Sequence, residues 1–276
     1  MGDLAIDTAV EGGRGRYTAT LSADWNIWGP NGGYLAAVAL RAAGAHAGLP
    51  RPASFHCHYL GVAAFARVDL EVQTLRGSRR AESLRVTMTQ EGRPVLEALA
   101  WVVADGLTGM EHDATTAPDV PRADELVSVE DLLPPDAPPP HAFFGNLDQR
   151  PVRWIDDWEH RPAAEPLVES WYRLRPRATF DDPFVDAGRL AVLVDTFQWP
   201  AASRAHAAGS QPFIAPSLDL AVSFHHDAAA EPWLLVEARS PLASGGLVAG
   251  NARVWDGAGR LVASGGQQLL CRPTPT

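Results

Sequence analysis

A run of apolar residues that no helix face can hide constrains this chain most. The segment Trp28-Gly-Pro-Asn-Gly-Gly-Tyr-Leu-Ala-Ala-Val-Ala-Leu40 passes through a Pro-Asn-Gly-Gly turn and then stays apolar on every side. A helix that is apolar all round has to be wrapped, and a sheet is the usual wrapping. The following residues read as strands: 53–60, 66–75, 80–91 and 95–104 alternate or run apolar between turn residues.

The same order returns in the second half. Residues 188–195 form a second apolar helical stretch, with Asp195 matched to Asn31. Residues 217–224, 233–240 and 259–263 match 54–59, 68–75 and 92–96. The offsets are 195 − 31 = 164, 217 − 54 = 163 and 259 − 92 = 167. A period this long is a duplicated domain rather than a solenoid repeat. The expected architecture is α+β, a tandem (double) hot-dog: two long antiparallel sheets, each wrapped around a central apolar helix. Repeats are expected over 1–108 and 143–276, joined by a Pro-rich linker over 109–142. That linker carries Pro118, Pro121, Pro134, Pro135 and Pro138-Pro-Pro140, with a short helix expected over Ala123 to Leu133.

Composition narrows the function. The net charge of −10 argues against a nucleic-acid partner, since no basic stripe exists to neutralise phosphates. Every basic residue is arginine, which with abundant Ala, Gly and Pro reads as GC-rich, bacterial coding rather than chemistry. Two cysteines, Cys57 and Cys271, are too few for a disulfide framework and fit a reducing cytoplasm. The N-terminus lacks the basic and apolar regions of a signal peptide, and no apolar run reaches the ~20 residues of a membrane span.

Several common sites are missing. There is no Gly-x-Ser-x-Gly elbow, no phosphate-binding loop and no dinucleotide fingerprint. His56-Cys-His58 puts two histidines on one strand face, but zinc wants three or four ligands, so no metal and no cofactor are expected. His225-His226-Asp227 sits at an expected strand end and reads as a solvated pair.

Three polar residues interrupt apolar segments of the second half: Asp195, Ser217 and Gln267. A carboxylate inside an apolar helix is costly to bury without partners. It is either a structural hydrogen-bonding group or a base held dry to orient a water. The residues alone leave both readings open.

The whole chain resembles the type II acyl-CoA thioesterases, which have the double hot-dog fold. The resemblance rests on Ala215-Pro-Ser-Leu-Asp219, Ser223-Phe-His225, Glu231-Pro-Trp-Leu-Leu235 and Gly259-Arg-Leu-Val-Ala-Ser264. In the first half it rests on Gly32-Gly-Tyr34, Ser54-Phe-His56 and Thr74-Leu-Arg76. It implies a catalytic trio in which Asp195 falls on the family's helix aspartate, Ser217 on its strand-opening threonine and Gln267 on its C-terminal glutamine. Together these would activate a water against a thioester carbonyl. The chain departs from the family at three places. Serine replaces threonine at 217, Asp219-Leu220 replaces an Asp-His pair, and Tyr34 follows Gly32-Gly33 where the family has glutamine.

The expected activity is hydrolysis of a fatty-acyl or related thioester to free acid and CoA, a step in lipid metabolism. Asn31, Gly32 and Gly33 would lie at the reacting carbonyl, with helix N-terminal amides receiving the oxyanion. Tyr34, Phe197 and Trp199 would line the acyl tunnel. Arg79 and Arg80, in a hairpin with Arg76 and Arg85, would meet the CoA phosphates. With Asn31 in place of a second carboxylate, one active centre per chain is expected, and a homodimer is the expected assembly. Two alternatives stand beside this reading: a hydratase or dehydratase using His56, and a non-catalytic acyl-thioester-binding protein.

Overall fold

The computed structural model describes residues 1–134, 137, 139–157, 160–208 and 213–273. Pro135 and Pro138 of the expected linker lie outside the described residues. The first half contains α1 (Leu4–Asp7), β1 (Glu11–Gly13), β2 (Arg16–Thr20), α2 (Gly32–His46), β3 (Arg51–Tyr59), β4 (Arg67–Gly77), β5 (Ala81–Gln90) and β6 (Arg93–Val103). The remainder contains α3 (Val129–Leu132), β7 (Leu147–Pro151), β8 (Leu167–Leu174), α4 (Pro183–Thr196), α5 (Gln198–Arg204), β9 (Phe213–Ile214), β10 (Asp219–Phe224), β11 (Leu234–Ser244), β12 (Leu247–Trp255), β13 (Leu261–Leu270) and β14 (Arg272–Pro273).

Twelve strands form one antiparallel sheet in the order β1-β2-β4-β5-β6-β3-β10-β13-β12-β11-β8-β7. The expected double hot-dog fold is observed, and its two six-stranded halves are joined through β3 and β10. Each of the four first-half strands expected from alternation falls within two residues of its observed limits. On β3, Phe55 and Cys57 point inward and are buried, while His56 and His58 point outward and are exposed.

Both central helices lie on the inner face. α2 starts because the Asn31 side chain accepts the Tyr34 amide, satisfying one of the donors a helix start leaves open. α4 starts at Pro183 with Asp182 accepting the Phe184 and Val185 amides. Leu40, Val38, Val192, Leu193 and Val194 are fully enclosed. Each such side chain stabilises the fold by about 1.5–3 kcal/mol.

The helices run antiparallel. Gly33 lies against Val192, Ala37 against Gly188 and Gly44 against the Phe184 ring. Small residues at these crossings let the backbones approach closely. The N-terminus of α2 therefore meets the C-terminus of α4.

This pairing corrects the repeat register. The matched helix starts are Gly32 and Pro183, and 183 − 32 = 151. Ala37 and Gly188, which touch at the pseudo-twofold axis, give the same value, 188 − 37 = 151. The strands keep the larger offset, as in 234 − 67 = 167 for β11 against β4. The difference is the α5–β9 insertion, which follows α4 and has no counterpart after α2. Asn31 thus corresponds to Asp182, both being helix caps, and Asp195 corresponds to Gly44 (195 − 151 = 44).

The connecting segment packs onto the sheet. Trp171 Nε1 donates to the Pro121 carbonyl at 2.9 Å, Arg150 donates to the Ala123 carbonyl at 2.7 Å, and Ala123 joins Trp171, Leu235 and Trp255 in a small outer-face cluster. The helix expected over 123–133 is split into a 3-10 turn, Ala123–Glu125, and α3. Ser128 divides them by capping α3 through the Asp131 amide.

Candidate active site

The C-terminal end of α4 delivers Asp195 to the N-terminal end of α2. Asp195 Oδ2 accepts the Gly33 amide at 2.8 Å and the Asn31 side-chain amide at 3.3 Å. Oδ1 accepts the Ser217 hydroxyl at 3.3 Å. Gln267 Nε2 donates to the Asp195 main-chain carbonyl at 2.7 Å. Asp195, Ser217 and Gln267 are therefore brought together, and Asn31, Gly32 and Gly33 with them.

Each position follows from its element. Ser217 stands two residues before β10, bridged to Leu269 of β13. Gln267 lies on β13, aligned with Gly250 of β12, and is almost fully buried. Asp195 is held at 5% exposure, and burial pushes its pKa from 3.8 up to about 6, against the lowering bonds from Gly33, Ser217 and Asn31. Its anion sits at the negative pole of its own helix but at the positive pole of α2, whose amides solvate it.

Two buried polar atoms at the site have no hydrogen-bond partner among the described residues. One is Gln267 Oε1. Its orientation follows from the bond to the Asp195 carbonyl, which needs the amide nitrogen as donor. The other is the Tyr59 hydroxyl, at the end of β3. A Cβ placed on Gly32 would stand 3.0 Å from that hydroxyl, 3.0 Å from Asp195 Oδ2 and 3.1 Å from Oδ1. The bare Gly32 backbone thus opens a space faced by phenol and carboxylate. Burial pushes the Tyr59 phenol well up, so it stays protonated and able to donate. Sequence reasoning missed Tyr59, although strand alternation put it on the same face as Phe55 and Cys57.

Other expected residues lie elsewhere. Tyr34 is fully buried in the first-half core, stacked on Trp25 at 5.2 Å, with its hydroxyl accepting from the Ser22 amide and donating to the Asp7 carbonyl. It offers no free surface to an acyl chain. Phe197 stacks on Tyr172 at 4.1 Å in the core. Trp199 packs with Ala215, Val248 and Leu269, the last of which is the bridge partner of Ser217.

Arg79 and Arg80 are not brought to the site. They sit in the β4–β5 turn, where Ala81 pairs with Val103, whereas Tyr59 pairs with Leu96, opposite Met88. Seven residues of strand from Ala81 to Met88 set them roughly 23 Å from Tyr59 along the sheet. His56 points outward, away from Asp195, so it has no access to this site as a dehydratase base.

The pseudo-symmetric position is filled. Gly44 replaces the carboxylate, and the Phe184 ring occupies the place that Gly33 leaves open on the other side. The residue symmetric to Asp195 is thus Gly44, not the Asn31 with which the sequence offset pairs it. Asn31 is a cap that donates to Asp195, not the residue standing in for a second carboxylate.

Residues 123–271 match the family model for the acyl-CoA thioesterase C-terminal domain, and residues 21–103 match that for the N-terminal domain. Among solved structures, the chain is similar to a conserved protein of unknown function with a hot dog fold from Alicyclobacillus acidocaldarius (TM-score 0.82, 24% identity, 99% of this chain and 98% of that one). It is also similar to an acyl-CoA thioesterase II from Mycobacterium marinum (TM-score 0.79, 23% identity, 99% of each chain). A third similar structure is a tesB protein from Mycobacterium avium subs paratuberculosis (TM-score 0.77, 23% identity, 98% of each chain). At these identities the likeness is one of fold.

Proposed function

Since this chain belongs to the acyl-CoA thioesterase family and is a thioester hydrolase, we propose that Asp195, Ser217 and Gln267 activate a water for attack on the carbonyl of an acyl-CoA. The observation that carries this reading is a buried carboxylate of raised pKa, Asp195, whose main-chain carbonyl is bound by Gln267, a residue left with an orphaned Oε1.

A water there donates one hydrogen to Asp195 and the other to Gln267 Oε1, leaving its lone pair free for the carbonyl carbon. Ser217 holds Asp195 through Oδ1, and Gln267 ties its own amide to the helix end that carries the base. Attack forms the C–O bond as Asp195 takes the proton. The oxyanion is received by the Tyr59 hydroxyl, which faces the space above Gly32, with a first-turn amide of α2 as the second donor. Collapse breaks the C–S bond, and Asp195 returns its proton to the departing thiolate, leaving free acid and CoA. No acyl-enzyme is required.

On this reading Trp199 flanks the acyl path. The chain is read as repeats over 1–108 and 143–276 joined by residues 109–142. Among the described residues, no helix is long and apolar enough to cross a membrane.

Free-thiol release from a panel of short to long acyl-CoAs, with wild type beside Asp195→Asn, tests the proposal. Turnover on part of the panel, reduced 10²–10⁴-fold in the variant, is expected. Undiminished turnover in a folded Asp195→Asn protein would remove Asp195 from the chemistry.

A further inference from the structure

On the outer face of the sheet, at the seam between the halves, ligand atoms of His56, His58 and Asp219 lie within 4.8 Å of one another. We propose that these three side chains form a binding site for one first-row transition-metal dication, with zinc as its simplest occupant. The proposal is independent of the hydrolytic reading.

The backbone does most of the positioning. His56 and His58 share the outward face of β3 because they are two residues apart, and their rings lie 5.5 Å apart at 89°. Asp219, the first residue of β10, is the direct antiparallel partner of His58. It supplies the third ligand that the sequence pair lacks. Asp219 Oδ1 already accepts the Gln268 amide at 2.8 Å, which fixes the carboxylate and leaves the second oxygen free. On the other flank of His58, Glu97 is engaged by Arg85 at 3.3 Å and by the Thr87 hydroxyl at 2.7 Å.

Two imidazoles and one carboxylate suit zinc, copper or nickel, whereas calcium and magnesium favour all-oxygen sets. Zinc bonds of about 2.0–2.1 Å place tetrahedral ligands about 3.3 Å apart. The histidines are exposed, so small side-chain rotations reach that spacing from the observed one. Three protein ligands leave a fourth position for water. Sheet backbone separates this face from Asp195, so the ion takes no part in hydrolysis. It ties β3 to β10, one strand from each half.

The test uses the untagged, chelator-stripped full-length chain. Calorimetric titration with zinc chloride is expected to give one equivalent per chain, and zinc is expected to raise the Tm. His56→Ala and His58→Ala should each weaken binding at least ~10-fold, with Asp219→Asn in the same range. His56→Gln provides the same test with least change in bulk, and the Tm without zinc reports folding for every variant. Absence of saturable binding would overturn the proposal. So would binding and a Tm rise that persist in the folded His56→Ala, His58→Ala double variant.

Discussion

The Gly33 amide hydrogen-bonds Asp195 Oδ2 at 2.8 Å, and through that bond the start of one central helix solvates a carboxylate at the end of the other. The two residues are 162 positions apart. Neither half of the chain can build this contact alone. The base is made by the antiparallel packing of two helices, and its proton affinity is set by how completely that packing excludes water.

Activity and stability should therefore run in opposite directions with pH. Asp195 must be ionised to act as a base, so kcat/KM is expected to rise through a pH of about 6. For stability, the folded pKa lies above the unfolded value of 3.8. The native state then holds the proton more tightly, and the stability this confers at low pH is lost between about 4 and 6. The cost above that window is on the order of 3 kcal/mol (about 2 pKa units at 1.36 each). Asp195→Asn keeps the shape and can still accept the Gly33 amide. Denaturant titrations at several pH values should show it gaining stability relative to wild type as pH rises from 4 to 7.

Adjacent glycines should fail in different ways. An alanine Cβ at Gly32 stands 3.0 Å from both Asp195 Oδ2 and the Tyr59 hydroxyl, so it fills the space proposed for the carbonyl. Gly32→Ala is expected to lose at least ~10-fold in kcat/KM with little loss of stability, since alanine suits a first helical turn. At Gly33 the Cβ would lie 2.6 Å from the Val192 Cα, which is backbone and cannot step aside. Gly33→Ala is expected to force the helices apart and cost about 1–3 kcal/mol. Steady-state kinetics and thermal melts of the two variants, side by side, separate the effects.

Most of the architecture was legible in the sequence, because sheet alternation and an all-apolar helix are local patterns. Asp195 was legible too, as a carboxylate in the wrong company. The repeat register was not. The α5–β9 insertion lengthens one half after its helix, so a single offset taken from the strands slides α4 by 164 − 151 = 13 residues, roughly three and a half turns, and pairs Asn31 with the wrong residue. Arg79 and Arg80 looked suitable as a basic cluster, but their distance from Asp195 depends on which end of α2 the turn abuts. Asp219 as a neighbour of His58 was invisible because cross-strand register between the two halves is set by the fold.

Phe184 tests the idea of a single centre. It lies near the far end of α4, 11 residues before Asp195, or about 16 Å along the helix. Phe184→Ala should cost about 3 kcal/mol through the cavity it leaves, measured by denaturant unfolding. It should leave kcat/KM within about twofold of wild type, within ordinary substitution noise for a site this remote. A large kinetic loss in a folded variant would mean that the mate position takes part in turnover.

The ring of Phe184 against Gly44 also fixes how the molecule counts. With one socket open and its twin plugged, a chain of 29.6 kDa is expected to titrate as a single acyl-CoA-binding unit. On that expectation its two halves have nothing to communicate about occupancy, and saturation of one chain by an acyl-CoA is expected to be hyperbolic. Any sigmoid response would have to be transmitted between separate copies of the protein.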